Sequence, residues 1–236
     1  METYSEFMDR INSFAVPELG INEHNFTPSE SVKQKVERNG TFKRFYGDTT
    51  IFDLTEEERR KLYYFVDFLY SHVPECFGER LAVRTMHMTL HDLSSSNRYE
   101  KINHKMHQNQ AIIEAAILGE KRLEIEIRMR SNYIINMVNT SLVMCFCPVD
   151  EEGYNELMRL YSIMDEAVML PYRFTPHVTL AYYNPNGFCY DSAHRLTEYV
   201  NALNRHKSVD LVLNTKRLGY YTFDNMNAYF HWFNLF

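Results

Sequence analysis

The chain has no apolar run long enough to cross a bilayer. Its start, METYSEFMDR, is acidic and polar where a secretory signal would be apolar. These two absences place the protein, as an expectation, in the cytoplasm and away from membranes. A disulfide framework is also missing. Cys76, Cys145, Cys147 and Cys189 are the four cysteines of 236 residues, and none has metal-site spacing. Cys145 and Cys147 share one face of an apolar strand and read as buried thiols. An excess of positive charge is lacking too. The net charge of −6 argues against a general binder of long nucleic acid, which needs an extended basic surface. It leaves room for a small phosphorylated ligand held by a few local groups. Repeats and low-complexity stretches are absent.

What is present fits a globular chain with a real core: 45% hydrophobic residues and 14% aromatics, with 17 tyrosines and 16 phenylalanines. Residues 1–38, with Pro17, Pro28 and little periodicity, read as an N-terminal arm. Residues 39–236 read as one compact domain. TFKRFYGDTTIFDL is β-favouring and ends near Leu54. Thr55 and Glu58 then form a capping box, and Leu62, Phe65, Val66, Leu69 and Val73 follow at helical spacing. LAVRTMHMTLHDL reads as a strand and Ser94 to Gly119 as a helix. RLEIEIRMRS and TSLVMCFCPV are strands, Asp150 caps a helix, and RFTPHVTLAYY is a strand. A further helix begins at Asp191 or Ser192, and VDLVLNT, LGYYTF and AYFHWFNLF close the chain. Helices alternating with strands able to pair as hairpins predict an α+β fold with mostly antiparallel sheets and outer helices.

Two of these strands carry the same tetrapeptide pattern. His87-Met88-Thr89-Leu90 and His177-Val178-Thr179-Leu180 both read His-X-Thr-Leu, and their histidines lie 90 residues apart. Side chains on a strand alternate faces. His87 therefore shares a face with Thr89, and His177 with Thr179, while Met88, Leu90, Val178 and Leu180 turn to the core. Two such strands facing one groove bring together two imidazoles and two hydroxyls. One ring can accept a proton while the other donates one, and the hydroxyls can bond phosphate oxygens. This chemistry needs neither a metal nor a cofactor.

Paired His-X-Thr motifs in matched structural context resemble the 2H phosphoesterase superfamily, which includes bacterial 2′-5′ RNA ligases and cyclic phosphodiesterases. The resemblance runs from about Phe42 to the end of the chain. GDTTIFDL, a helix and then MHMTLHDL is similar to an uncharacterised branch of that superfamily. The resemblance implies two pseudo-symmetric α+β lobes around a central groove. It implies His87 and His177 as the catalytic pair and Thr89 and Thr179 as the phosphate-contacting hydroxyls. It also implies action on a cyclic phosphate or 2′-5′ phosphodiester of a small nucleotide or RNA end. Many members carry a basic residue after the second motif, where this chain has Ala181-Tyr182-Tyr183.

Three further residues are candidate ligand contacts. Strand parity puts Tyr183 on the face of His177 and Thr179, where a base could stack on it. Arg173, four residues before His177, suits a phosphate. His91 extends the polar face of His87 and Thr89 and is expected at the solvated rim. His104 and His107 lack a matching ligand set and read as a wet helix face. Two other functions share the motifs: a binding protein for nucleotides or RNA ends that turns nothing over, and an RNA 2′-5′ ligase, which the acidic balance disfavours. The oligomeric state is left open.

Overall fold

The computed structural model describes residues 2–14, 19, 24–118, 120, 124–206 and 208–236. Its helices are α1 (Tyr4–Asn12), α2 (Glu30–Lys35), α3 (Glu56–His72), α4 (Tyr99–Leu118), α5 (Glu151–Met164) and α6 (Tyr190–His206). The strands are β1 (Tyr46–Asp53), β2 (His87–Ser96), β3 (Glu126–Met137), β4 (Ser141–Pro148), β5 (His177–Tyr182), β6 (Asp210–Asn214), β7 (Leu218–Asn225) and β8 (Ala228–Asn234).

The strands form two four-stranded antiparallel sheets, ordered β2-β1-β7-β8 and β5-β4-β3-β6. Each sheet has a histidine strand at one edge, and these edges, β2 and β5, lie against each other. Each arises from the same unit: a strand, a helix, and a second strand that returns antiparallel to the first (β1-α3-β2 and β4-α5-β5). The fold is α+β and two-lobed.

Local chemistry sets the elements. Thr55 and Glu58 close the capping box at the start of α3, with the Thr55 hydroxyl accepting from Glu58 N at 3.2 Å and the Glu58 carboxylate accepting from Thr55 N at 2.8 Å. Leu62, Phe65, Val66 and Leu69 turn inward from it and are buried. β2 begins at His87 after a 3₁₀ turn, Val83–Thr85, later than the sequence suggests. It also runs on to Ser96, so that α4 starts at Tyr99 and not at Ser94. The reason is the buried Asp48 carboxylate, which accepts from Ser94 N at 2.9 Å and from the Ser94 hydroxyl, holding that end of β2 on β1. Gly119, the expected helix end, lies outside the described residues, as does Pro17 of the expected arm.

The described part of residues 1–38 is folded onto the rest. A capping box from Thr3 and Glu6 starts α1, and Phe7 and Ile11, one turn apart, are fully buried against Cys147 and Tyr154. α2 buries Val32 with Val36 and Phe45. Ser29 and Ser31 bond the Thr140 hydroxyl at 2.8 and 2.6 Å, fixing α2 beside the β3–β4 turn.

Candidate functional site

Where β2 meets β5, a cavity of about 680 Å³ opens, lined by His87, Thr89, His177 and Thr179. The alternation of strand side chains thus brings both motifs to one space. Each histidine is held in the same way. His87 Nδ1 bonds the Thr85 carbonyl at 2.7 Å, and His177 Nδ1 bonds the Thr175 carbonyl at 2.7 Å. A carbonyl only accepts, so Nδ1 carries the hydrogen in both rings, and the lone pair of a neutral ring is on Nε2. Among the described residues neither Nε2 has a hydrogen-bond partner. The Tyr229 ring packs on His87 at 4.7 Å between centroids.

Burial in this cavity pulls both imidazoles below their ordinary range. His87 falls to about 4, through desolvation first and also through the repulsion a charged His177 would exert on it. His177 is likewise lowered by desolvation, with Lys35 adding to the effect and Asp92 opposing it. The pair therefore resists carrying two protons.

The other expected contacts fare differently. Tyr183 is not in the cavity. It is fully buried among Phe26, Phe77 and Phe188, with ring centroids 4.7, 6.1 and 6.0 Å away. A β-bulge explains this. On β4, Val143 and Leu142 are consecutive, but their partners on β5 are Thr179 and Ala181. The extra residue, Leu180, inverts strand parity, so Tyr182 lines the cavity and Tyr183 turns inside. His91 also departs from expectation. It lines the cavity but is 1% exposed, well away from a solvated rim. Its Nδ1 bonds the Asp92 carbonyl at 2.6 Å, and its Nε2 meets the carboxylate of Asp165, the C-cap of α5, at 3.2 Å. Arg173 does line the cavity, but it bonds Glu2 at 3.0 Å.

Glu2 and Arg10 connect this end of the cavity to the N-terminal helix. Arg10 binds Glu2 at 2.8 Å and donates to the Thr175 hydroxyl at 3.1 Å and the Phe174 carbonyl at 2.8 Å. Thr175 is the residue whose carbonyl holds His177.

Three lining residues carry no sequence signal of a site: Lys35 of α2, Tyr182 and Tyr229. Lys35 and Tyr229 have chain neighbours that are unremarkable in pattern and come here only through the tertiary fold, whereas Tyr182, three residues past Thr179, comes through the bulge in β5. In the cavity wall itself Asp48 accepts four hydrogen bonds, the two from Ser94 plus one each from Asn109 at 3.0 Å and Tyr220 at 2.9 Å. Among the described residues no three His, Cys, Asp or Glu side chains cluster as a metal site, and no helix is long and apolar enough to cross a membrane.

No family model matches the chain, and no curated protein matches it. Solved structures do. A conserved protein of unknown function from Agrobacterium tumefaciens, ATU0111, overlays with a TM-score of 0.64 at 12% identity, covering 89% of this chain and 94% of that one. Looser overlays include Escherichia coli LigT complexed with phosphate, with a TM-score of 0.45 at 14% identity over 80% of this chain and 96% of that one. TT0787 of Thermus thermophilus overlays with a TM-score of 0.44 at 16% identity over 78% and 93%. By the first of these overlays, this chain shares its overall fold with the Agrobacterium protein.

Proposed function

We propose that this chain is a metal-independent phosphodiesterase of the 2H phosphoesterase kind, hydrolysing a cyclic phosphate or 2′-5′ phosphodiester of a small nucleotide or RNA end. The observation that carries the reading is the matched pair of Nδ1-to-carbonyl bonds, which leaves Nε2 of both His87 and His177 unpartnered among the described residues and beside one cavity. A structural histidine has no need of a free second nitrogen, and two in mirrored settings form an acid–base couple.

In this reading the phosphate lies between the rings, and the Thr89 and Thr179 hydroxyls donate to its non-bridging oxygens. His87, held neutral by burial and by the charge of its partner, takes a proton from the attacking water through Nε2. The water oxygen bonds phosphorus as the ester oxygen departs, and His177 gives its Nε2 proton to that oxygen. Bound phosphate raises the pKa of both rings, since a nearby negative charge favours the charged form. Inside the cavity, away from bulk solvent, these interactions are stronger than in water.

The test is turnover of 2′,3′-cyclic nucleotides and 2′-5′ dinucleotides by the full chain, with His87→Ala as control. Turnover lost in the control supports the reading. Turnover that His87→Ala leaves untouched rejects it.

A further inference from the structure

Among the described residues the cavity holds one ammonium that no carboxylate neutralises. Lys33 pairs with Glu30 and Lys43 with Glu37, and Arg173 is engaged by Glu2. Lys35 has no such partner among the described residues. Its ammonium instead lies 5.3 Å from the centroids of both the Phe45 and Tyr182 rings, which orient it without consuming its charge or its donors. The backbone that presents it is fixed. Ser29 and Ser31 tie α2 to Thr140, Val32 and Val36 are buried, and Lys35 O accepts from Lys43 N at 2.8 Å. Tyr182 ends β5, beyond Thr179 as seen from His177. The ammonium is therefore stationed past the histidine–threonine cluster, toward the far end of that strand. The phosphate under attack is already served by two hydroxyls and two imidazoles.

We propose that Lys35 takes a second phosphate of the ligand, so that the substrate class is a nucleotide carrying a phosphate in addition to the one cleaved. This rests on the phosphodiesterase reading above. A lysine clamped between two rings, donors free, recognises an anion of this kind as a point charge. It also gives the N-terminal segment a role in choosing substrate.

The experiment compares adenosine 2′,3′-cyclic phosphate with and without a 5′-phosphate. The wild-type chain prefers the 5′-phosphorylated compound by about ten-fold in kcat/KM, the scale of one charge-assisted contact. Lys35→Gln brings that ratio near one and Lys35→Arg restores most of it, with melting temperature as the control for folding. A wild-type ratio near one, or a ratio unmoved by Lys35→Gln, overturns the proposal. Equal losses on both substrates also overturn it, since they place Lys35 on the reacting phosphate. A binding arm separates this idea from the reaction: adenosine 3′,5′-bisphosphate is titrated against 3′-AMP. Tighter, Lys35-dependent binding of the bisphosphate without turnover of either cyclic compound keeps the second-phosphate contact and rejects the phosphodiesterase. Equal binding in wild type and Lys35→Gln rejects the contact.

Discussion

His87 and His177 occupy the first positions of two edge strands from different sheets, and each is pinned by the carbonyl two residues upstream of it.

That shared arrangement predicts shared work. His87→Ala and His177→Ala should each lower kcat on the order of 10²–10⁴-fold, the usual worth of a positioned acid or base. The double variant should lose far less than the product of the two, because in the proposed mechanism both groups serve one step. Exhaustive EDTA treatment should leave wild-type turnover in place. Loss with EDTA and recovery with zinc or magnesium would contradict the mechanism.

The pH dependence follows from the depressed imidazoles. As the base, His87 is active above about 4. As the acid, His177 is active only below its own lowered value, itself under the ordinary 6.5. The kcat/KM profile should therefore be a bell peaking on the acid side of neutrality, since it reports the free enzyme. Stability moves the other way. Between about 4 and 6.5 the unfolded chain binds a proton at His87 that the folded chain refuses, so stability rises with pH across that window and falls on acidification. Urea midpoints at the two ends of the window, in wild type and His87→Gln, measure this. Equal midpoints in wild type would refute it.

Tyr183 should matter to folding and not to ligand. Its hydroxyl is buried with no hydrogen-bond partner among the described residues, and an unmet buried hydroxyl costs about 1–3 kcal/mol. Tyr183→Phe should melt at or above the wild-type temperature with KM unchanged. Tyr183→Ala should lose about 3–5 kcal/mol by opening a cavity among the surrounding rings. A raised KM in Tyr183→Phe would restore the tyrosine to the site.

Asp48 fastens β2 to β1 at the end away from His87. Asp48→Ala strands the donors of Ser94, Asn109 and Tyr220 and should destabilise the fold by about 3 kcal/mol or more. Asp48→Asn keeps the shape but offers an NH₂ where these donors need an acceptor, and should fall between. Chemical denaturation of the three proteins orders them.

Strand alternation made the central cluster legible. The period of two puts His87 with Thr89 and His177 with Thr179 whatever the rest of the fold does, and the structure shows both pairs lining one cavity. The same rule misplaces Tyr183, because a single inserted residue, Leu180, inverts parity and leaves no mark in the residue pattern. His91 is misread for a related reason. Its partner Asp165 is 74 positions away, and no local spacing announces the contact. Reading the opening residues as an arm misses the Thr3–Glu6 capping box and the buried Phe7–Ile11 pair of α1. A helix of nine residues carries too few apolar positions to distinguish a docked element from a free arm. Lys35 could not be found at all from the sequence, since its place beside the cavity depends on the Ser29–Thr140 and Ser31–Thr140 bonds.

The Arg10–Thr175 bond spans 165 positions, and this has a consequence for the growing chain. Residues 2–14 leave the ribosome well before β4, α5 and the stretch before His177. Phe7 and Ile11 must face water until those elements exist. The backing of His177 thus joins residues from the two ends of a long stretch of chain, and it can form only after residue 175 has been made. A chain cut short before residue 177 holds one histidine without its complement. A chain stripped of residues 2–14 holds both, without the Arg10 bonds to Phe174 and Thr175. The site thus matures only once synthesis is well advanced, and its earliest residues wait for its latest.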